Sequence, residues 1–221
     1  MNRLQIATYA ARLVNESQGF PTTTDNWDQA TINNFVNVGY QWMQERVLEV
    51  DSEAFLYIDT ADIVKDQQFY AKPPMHYEIE LGYSDNPSTT DYLPLSLRTY
   101  GQLRDPSYVR GAATSSDLPD FENQFAHFGD YFYLGWKPSA NVTDGLQLSY
   151  VPVLAMGSDS DVPELKPNLH YGIALAAAIF ALGETPEDVG KLQTNLAMII
   201  QKIPSWYRRT GQAEPFEVLG I

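Results

Sequence analysis

The sequence lacks cysteine, which excludes a disulfide framework and any thiolate metal site. Its three histidines, His76, His127 and His170, are far apart in the chain and show neither metal-ligand nor catalytic-triad spacing. Nucleophile-elbow, phosphate-loop and metalloprotease-helix motifs are also missing. We therefore expect no catalytic residue, no metal and no cofactor, and we predict that the protein is not an enzyme.

Basic residues are scarce. The chain has 14 lysines and arginines against 28 aspartates and glutamates, and its formal net charge is −14. Such a chain repels the phosphate backbone at long range, which argues against a protein that reads DNA or RNA sequence. The same charge would suit a surface past which nucleic acid slides without sticking.

Long apolar runs are missing as well. The longest, residues 173–182, is much shorter than the roughly 20 residues that span a bilayer. The first residues, from Met1 to Arg12, are interrupted by polar side chains and do not form the apolar core of a secretion signal. We expect a soluble protein that is made in the cytoplasm and has no membrane contact.

Helical periodicity marks both ends of the chain. Apolar residues recur every three or four positions over 3–16, and a longer helix should begin near Trp27, with Asp25 or Asn26 as its cap. Between residues 167 and 208 the pattern is helical again, and many small residues there would allow close helix packing. Neither end can bury its apolar face alone, so the two are expected to pack together.

The middle of the chain has the features of β-structure. Aromatic and β-branched residues alternate with polar ones, and the clearest hairpin signal centres on Gly129-Asp130. We predict an α+β fold in which a helical bundle carries an inserted antiparallel β module. The predicted parts are residues 1–53 and 160–209 for the bundle, 54–159 for the β module, and 210–221 for a docking tail.

An acidic stretch begins at the end of the predicted long helix and continues beyond it. A solvated helix face is the usual explanation for such a run, and a functional lining becomes plausible in a ring, where symmetry multiplies each charge. The candidate channel-lining residues are Glu45, Glu49, Asp51 and Glu53.

The end of the sequence is the best candidate for a working segment. Large apolar side chains on a chain end either pack back onto their own domain or dock elsewhere, and the pattern leaves both open. The candidate docking residues are Arg208, Arg209, Phe216, Val218, Leu219 and Ile221.

Four features follow one another along the chain. They are Trp27, Phe35 and Trp42 on the predicted long helix, the hairpin leading to Trp136, the predicted strand and tyrosine-containing motif at residues 146–152, and the proline-containing loop and helix of small residues at 161–184.

These features together resemble the head-to-tail adaptor, or connector, proteins of tailed bacteriophages, especially those of short-tailed phages. The resemblance spans nearly the whole chain and implies a structural protein of the virion neck, assembled in the bacterial host cytoplasm. It further implies a dodecameric ring below the portal protein that extends the DNA channel and supports tail or nozzle proteins. DNA would pass without specific binding, and the tail at 210–221 would reach the portal.

Two other functions compete with this one. A carbohydrate-binding β module on a helical support would place Tyr92, Tyr100, Tyr108 and Trp136 in one groove. An acidic-pair hydrolase would set two carboxylates from different segments across a cleft. Both alternatives predict a monomer or a small oligomer.

Overall fold

The computed structural model of the protein describes residues 1–15, 28–85, 91–104, 123–183 and 186–207, without the side chains of 15, 104 and 186–188. It divides the chain into two units, one formed by residues 1–54 and 154–221 and the other by 55–153. The α-helices are α1 (Arg3–Asn15), α2 (Gln29–Leu48), α3 (Tyr100–Arg104), α4 (His170–Leu182), α5 (Pro186–Ile200) and α6 (Ile203–Tyr207), with a 3₁₀ turn at Pro167–Leu169 before α4.

The described β-strands all lie in the second unit. They are β1 (Tyr57–Ile63), β2 (Phe69–Ala71), β3 (Met75–Tyr83), β4 (Leu93–Pro94), β5 (Ser96–Arg98), β6 (Gln124–Phe128), β7 (Tyr131–Leu134) and β8 (Val142–Pro152). The predicted α+β class is confirmed.

Two four-stranded sheets form the β unit, in the orders β1-β8-β3-β4 and β2-β7-β6-β5. Their facing side chains share one apolar core, so the unit is a β-sandwich; the core includes Leu81, Leu146 and Leu148 from the first sheet and Tyr70, Phe125 and Phe132 from the second. The predicted hairpin is confirmed as β6 and β7, joined through Gly129 with a φ of 55°.

One strand pair departs from the predicted antiparallel module, because β5 runs parallel to β6. The chain between them, residues 99–123, includes α3. A connection of this length allows the chain to return and enter the sheet in the same direction, which a tight turn does not.

Helix α4 is the centre of the helical unit. Nine of its thirteen residues are buried, and it packs against α1, α2 and α5. Its run of alanines at 176, 177 and 178 is buried completely or nearly so. Small side chains on α4 therefore allow three helices to approach one central helix.

The closest approach in this unit lies between α2 and α4. A Cβ atom added to Gly39 would lie 2.9 Å from the backbone nitrogen of Ala177 and 2.9 Å from the carbonyl oxygen of Ile173. Backbone atoms cannot rotate away as a long side chain can. Gly39 is therefore required by packing, and α2 and α4 meet backbone to backbone at this point.

Replacing Gly39 by alanine is expected to lower the free energy of unfolding by about 1–3 kcal/mol, because overpacking displaces one helix from the other. Gly190→Ala in α5 is the matched control, since nothing lies within 4 Å of a Cβ atom there. That substitution should stabilise the protein by about 0.5–1 kcal/mol through helix propensity. Urea denaturation would measure both changes, and equal effects of the two substitutions would contradict this account of Gly39.

The start of α2 differs from its prediction. Its cap is Asp28, whose carboxylate accepts a hydrogen bond from the backbone nitrogen of Thr31 at 2.7 Å. That bond holds the pKa of Asp28 below its ordinary value. The predicted caps, Asp25 and Asn26, and the predicted first residue, Trp27, lie outside the described residues.

The second boundary of the β unit also differs, because residues 154–159 belong to the helical unit and not to the β module. Polar side chains of α2 hold this extended segment. The backbone nitrogen of Leu154 donates to Oε1 of the buried Gln44 at 3.1 Å, and that of Met156 donates to Oδ1 of Asn37 at 2.9 Å. These bonds satisfy backbone groups that have no partner strand.

His170, at the start of α4, is a buried histidine with both ring nitrogens engaged. Its Nδ1 lies 2.7 Å from the amino nitrogen of Met1, and its Nε2 lies 2.9 Å from the carbonyl oxygen of Leu165. The carbonyl requires a donor at Nε2, so Nδ1 accepts and the ring is neutral. Burial lowers the pKa of His170, and the positive charge at Met1 acts in the same direction.

The lowered pKa of His170 predicts a loss of stability in weak acid. As the pH falls below about 6.5, the unfolded chain takes up a proton at this residue before the folded chain does, which favours unfolding. Between pH 7.5 and 5 the free energy of unfolding of wild type should therefore fall more steeply than that of His170→Gln, which keeps a donor for Leu165. Parallel urea-midpoint profiles of the two proteins would contradict the assignment.

Candidate functional site

The acidic candidates occupy the end of α2 and the turn that follows it. The side chains of Glu45 and Glu49 are 50% and 57% exposed. Arg46 lies between them, with Nη1 2.5 Å from Oε1 of Glu49 and Nη2 4.0 Å from Oε2 of Glu45. Its guanidinium also lies 5.3 Å from the ring centroid of Trp42. One cation therefore offsets part of the charge of two carboxylates.

Asp51 and Glu53 continue this surface beyond the helix. Oδ1 of Asp51 accepts a hydrogen bond from the backbone nitrogen of Glu53 at 3.2 Å, and the residue is half-buried, whereas Glu53 is exposed. Burial raises the pKa of Tyr207, and the negative charge of Asp51 acts in the same direction. The structure thus brings the turn after α2 near the end of α6. We call Glu45, Glu49, Asp51 and Glu53 the acidic segment.

If the acidic segment is what keeps nucleic acid away, reversing it should produce a DNA-binding surface. The variant Glu45→Lys, Glu49→Lys, Asp51→Lys, Glu53→Lys places four cations beside Arg46. We expect it to bind a 30-base-pair duplex with a salt slope of about −3 to −5 on logarithmic axes. Fluorescence anisotropy over a salt series measures this slope.

A control variant with the same net charge distinguishes the effect of clustered lysines from the effect of total charge. Asp66→Lys, Glu80→Lys, Asp85→Lys and Asp91→Lys change exposed residues on β3 and in loops of the β unit. This control should bind the duplex at least tenfold more weakly than the clustered variant. Equal affinities would mean that the position of the acidic segment is unimportant.

The predicted docking tail is not part of the described chain. The residues concerned, Arg208, Arg209, Phe216, Val218, Leu219 and Ile221, all follow Tyr207, the last described residue. Tyr207 itself is held in place by Lys166, whose backbone nitrogen donates to the tyrosine hydroxyl at 3.0 Å and whose Nζ lies 4.5 Å from its ring centroid. The last described residue is therefore fixed to the helical unit.

The β unit contains a cavity that the sequence did not reveal. It has a volume of about 800 Å³ and is lined by charged and imidazole side chains together with Tyr77 and Leu97. Within it, Nε2 of His127 on β6 lies 3.0 Å from Oε1 of Glu78 on β3, while Oε2 of Glu78 is buried without a hydrogen-bond partner. The remaining charged or imidazole lining residues are Lys72, His76 and Asp130.

Sequence reasoning could not pair these residues. His127 and Glu78 are 49 positions apart, on strands of different sheets. Alternation shows which residues of a strand share a face, but it does not show which strand of the opposite sheet lies across from them. Only the packing of the two sheets brings the imidazole to the carboxylate.

The aromatic residues named for the carbohydrate-binding alternative contact different parts of the β unit. The hydroxyl of Tyr92 donates to the carbonyl oxygen of Asp144 at 2.8 Å, and the ring of Tyr100 lies 4.4 Å from that of Phe128. Trp136 packs edge-on against Tyr83 with ring centroids 5.3 Å apart. Tyr108 lies outside the described residues. The described members therefore pack against their own surroundings and form no shared stack.

Carboxylates from different segments line the large cavity, namely Glu78 on β3 and Asp130 in the β6–β7 turn. Glu78, however, is engaged by His127.

Within the described ranges, no group of three or more histidine, aspartate or glutamate side chains could hold a metal ion. Among the helices that the structure describes, none combines the length and apolar character needed to cross a bilayer.

Comparison with known proteins adds no family. No protein-family model matches the chain, and a search of curated proteins found no match to its sequence.

Proposed function

We propose that this protein is a structural component of a phage neck, a head-to-tail adaptor that forms a ring between the portal and the tail. The observation that carries the proposal is the construction of the chain. Residues 1–54 and 154–221 make one helical unit, and residues 55–153 make a β-sandwich inserted between them. This is the arrangement that the resemblance to adaptors implies.

The charge of the molecule supports a channel function. The net charge is −14, and the acidic segment presents Glu45, Glu49 and Glu53 as exposed carboxylates. In a ring each of these charges is repeated once per subunit. A negative wall of this kind repels the phosphate backbone and keeps DNA from adhering during packaging and ejection. We assign the acidic segment to the inner wall of the ring.

The proposed mechanism is geometric and involves no bond making or breaking in a substrate. Identical subunits contact one another head to tail, so each contributes two different surfaces, and the ring closes at a fixed rotation. Obligate interfaces of this type bury roughly 2,000 Å² or more. The portal protein would receive the tail at 210–221, and a tail or nozzle protein would bind the opposite side of the ring.

Particle mass tests this function. One chain has a mass of 24.9 kDa. Light scattering and electron microscopy, with and without the purified portal protein of the same virus, should show a ring of about twelve times that mass, either free or on the portal. A chain that remains a monomer in both conditions would exclude the adaptor function.

A truncated chain ending at residue 209 tests the role of the tail. We expect it to keep the far-ultraviolet circular dichroism of the full chain and to lose attachment to the portal, because the four apolar docking residues are removed while the described core remains. Loss of the folded signal would show that the tail belongs to the core. Unchanged attachment would assign portal binding to another surface.

A further inference from the structure

Strand β1 forms an edge of its sheet, paired with β8 on one side only. None of the strands that the structure describes pairs with its other side. An unpaired edge presents backbone donors and acceptors to any extended chain that approaches it, and soluble proteins usually shorten or cover such edges. At seven residues, β1 is longer than β2, β4 or β5, which also end sheets.

Both faces of β1 are exposed, which is unusual for a strand of a sandwich. Its first six residues are exposed and only Ile63 is buried. Asp59 pairs with Leu148 and Ala61 pairs with Leu146, so these two residues share the inward face with buried leucines. Inward positions of a closed sandwich are buried. The sandwich is therefore open along β1.

A slot of about 350 Å³ opens at this position. Most of its walls are apolar: Tyr70, Phe132, Leu146 and Leu148 line its floor, and Asp59 and Ala61 stand at the β1 side. A dry apolar cavity of about 150 Å³ is enough to hold benzene. The slot can therefore take one large aliphatic or aromatic side chain.

Strand β1 carries carboxylates on both of its faces, and the inward one, Asp59, lines the slot. On the inward face, Oδ2 of Asp59 accepts a hydrogen bond from the Tyr150 hydroxyl at 2.6 Å. Burial, followed by this bond, raises the pKa of Tyr150 to about 12, so the tyrosine keeps its proton. On the outward face, Oδ1 of Asp62 accepts from the backbone nitrogen of Asp144 at 2.9 Å.

One cation lines the slot on the far side. Nζ of Lys72 donates to the carbonyl oxygen of Gly129 at 2.9 Å and lies 5.4 Å from the ring centroid of Phe132. It is thus held by the β6–β7 turn. The carboxylates of Asp59, Asp62 and Asp144 remain along the β1 side, which favours a ligand with positive charge.

We propose that β1 is a docking edge for an extended segment of a partner protein, which adds a strand to the sheet, places one large apolar side chain in the slot, and carries lysine or arginine beside it. Backbone hydrogen bonds to β1 would supply affinity. The slot and the aspartates would supply specificity. This interaction requires no ring and is independent of the adaptor function.

A designed peptide tests the proposal on the full chain. The probe is the end-blocked, fluorescently labelled peptide Lys-Val-Thr-Phe-Thr-Val-Lys, whose alternation sets phenylalanine on one face and lysine on the other. Fluorescence anisotropy should show saturable binding that weakens with salt. The same peptide with glutamate in place of both lysines should bind at least tenfold more weakly. Equal binding of the two peptides would overturn the charge argument and with it the proposal.

Alternate N-methylation distinguishes strand addition from simple adhesion. Successive backbone N–H groups of a strand point to opposite sides, so only one alternate set faces β1. Methylating that set should abolish binding, while methylating the other set should leave affinity within about threefold. If both methylated peptides bind, or neither does, the peptide is not adding a strand to the sheet.

Filling the slot tests where the peptide binds. Ala61→Phe places a ring at the slot entrance, and Ser139→Phe, at an exposed loop position, is the matched control. The first should lower peptide affinity at least tenfold and the second should not, with both variants keeping the wild-type circular dichroism. An unfolded Ala61→Phe would be replaced by Ala61→Leu, for which the same loss is expected.

Two further outcomes would overturn the proposal. The first is unchanged peptide binding by a folded slot-filling variant, which would place the peptide elsewhere. The second is absence of peptide binding to wild type together with self-association that Ala61→Phe abolishes, which would identify a second copy of this chain as the occupant. Failure of the portal experiment would leave either result unaffected, because the peptide assay uses the isolated chain.

Discussion

The helical unit depends on the contact between α2 and α4 at Gly39. There the Cβ that glycine lacks would lie 2.9 Å from backbone atoms of both Ile173 and Ala177. Because the two backbones approach this closely, the buried side chains of both helices can interdigitate over their length. Gly172 on α4 also allows a close approach, since a Cβ there would lie 3.0 Å from Cε of Met43 on α2 and 3.4 Å from Cγ2 of Ile199 on α5. Two missing side chains thus let α2 and α5 pack against α4.

Much of this architecture could be predicted from local pattern. The small residues of α4 predicted a central helix, and nine of its thirteen residues are buried. The alternation around Gly129-Asp130 predicted the β6–β7 hairpin. These features depend on periodicity and turn chemistry, which a single sequence records directly. The α+β class follows from them.

Features that depend on long-range pairing could not be predicted in the same way. Asn37 and Gln44 lie on α2 among apolar residues, and nothing in their spacing shows that they hold the backbone of Met156 and Leu154. The unpaired edge of β1 could not be predicted from the sequence either, because the residue pattern of 57–63 is the same whether or not another strand pairs with that edge. The acidic segment is different: its residues are adjacent in sequence, so its charge could be recognised without any knowledge of the fold.

The separation of α1 and α2 from α4 along the chain has a consequence during synthesis. At 5–20 residues per second, the ribosome needs on the order of ten seconds to add the residues between the end of α2 and the end of α4. Throughout that interval Ile32, Val36 and Met43, all buried in the finished protein, have no α4 to cover them. The β-sandwich is complete once residue 153 has emerged, so it can fold first. Until α4 emerges, α1 and α2 can pack against each other, as they also do in the finished protein.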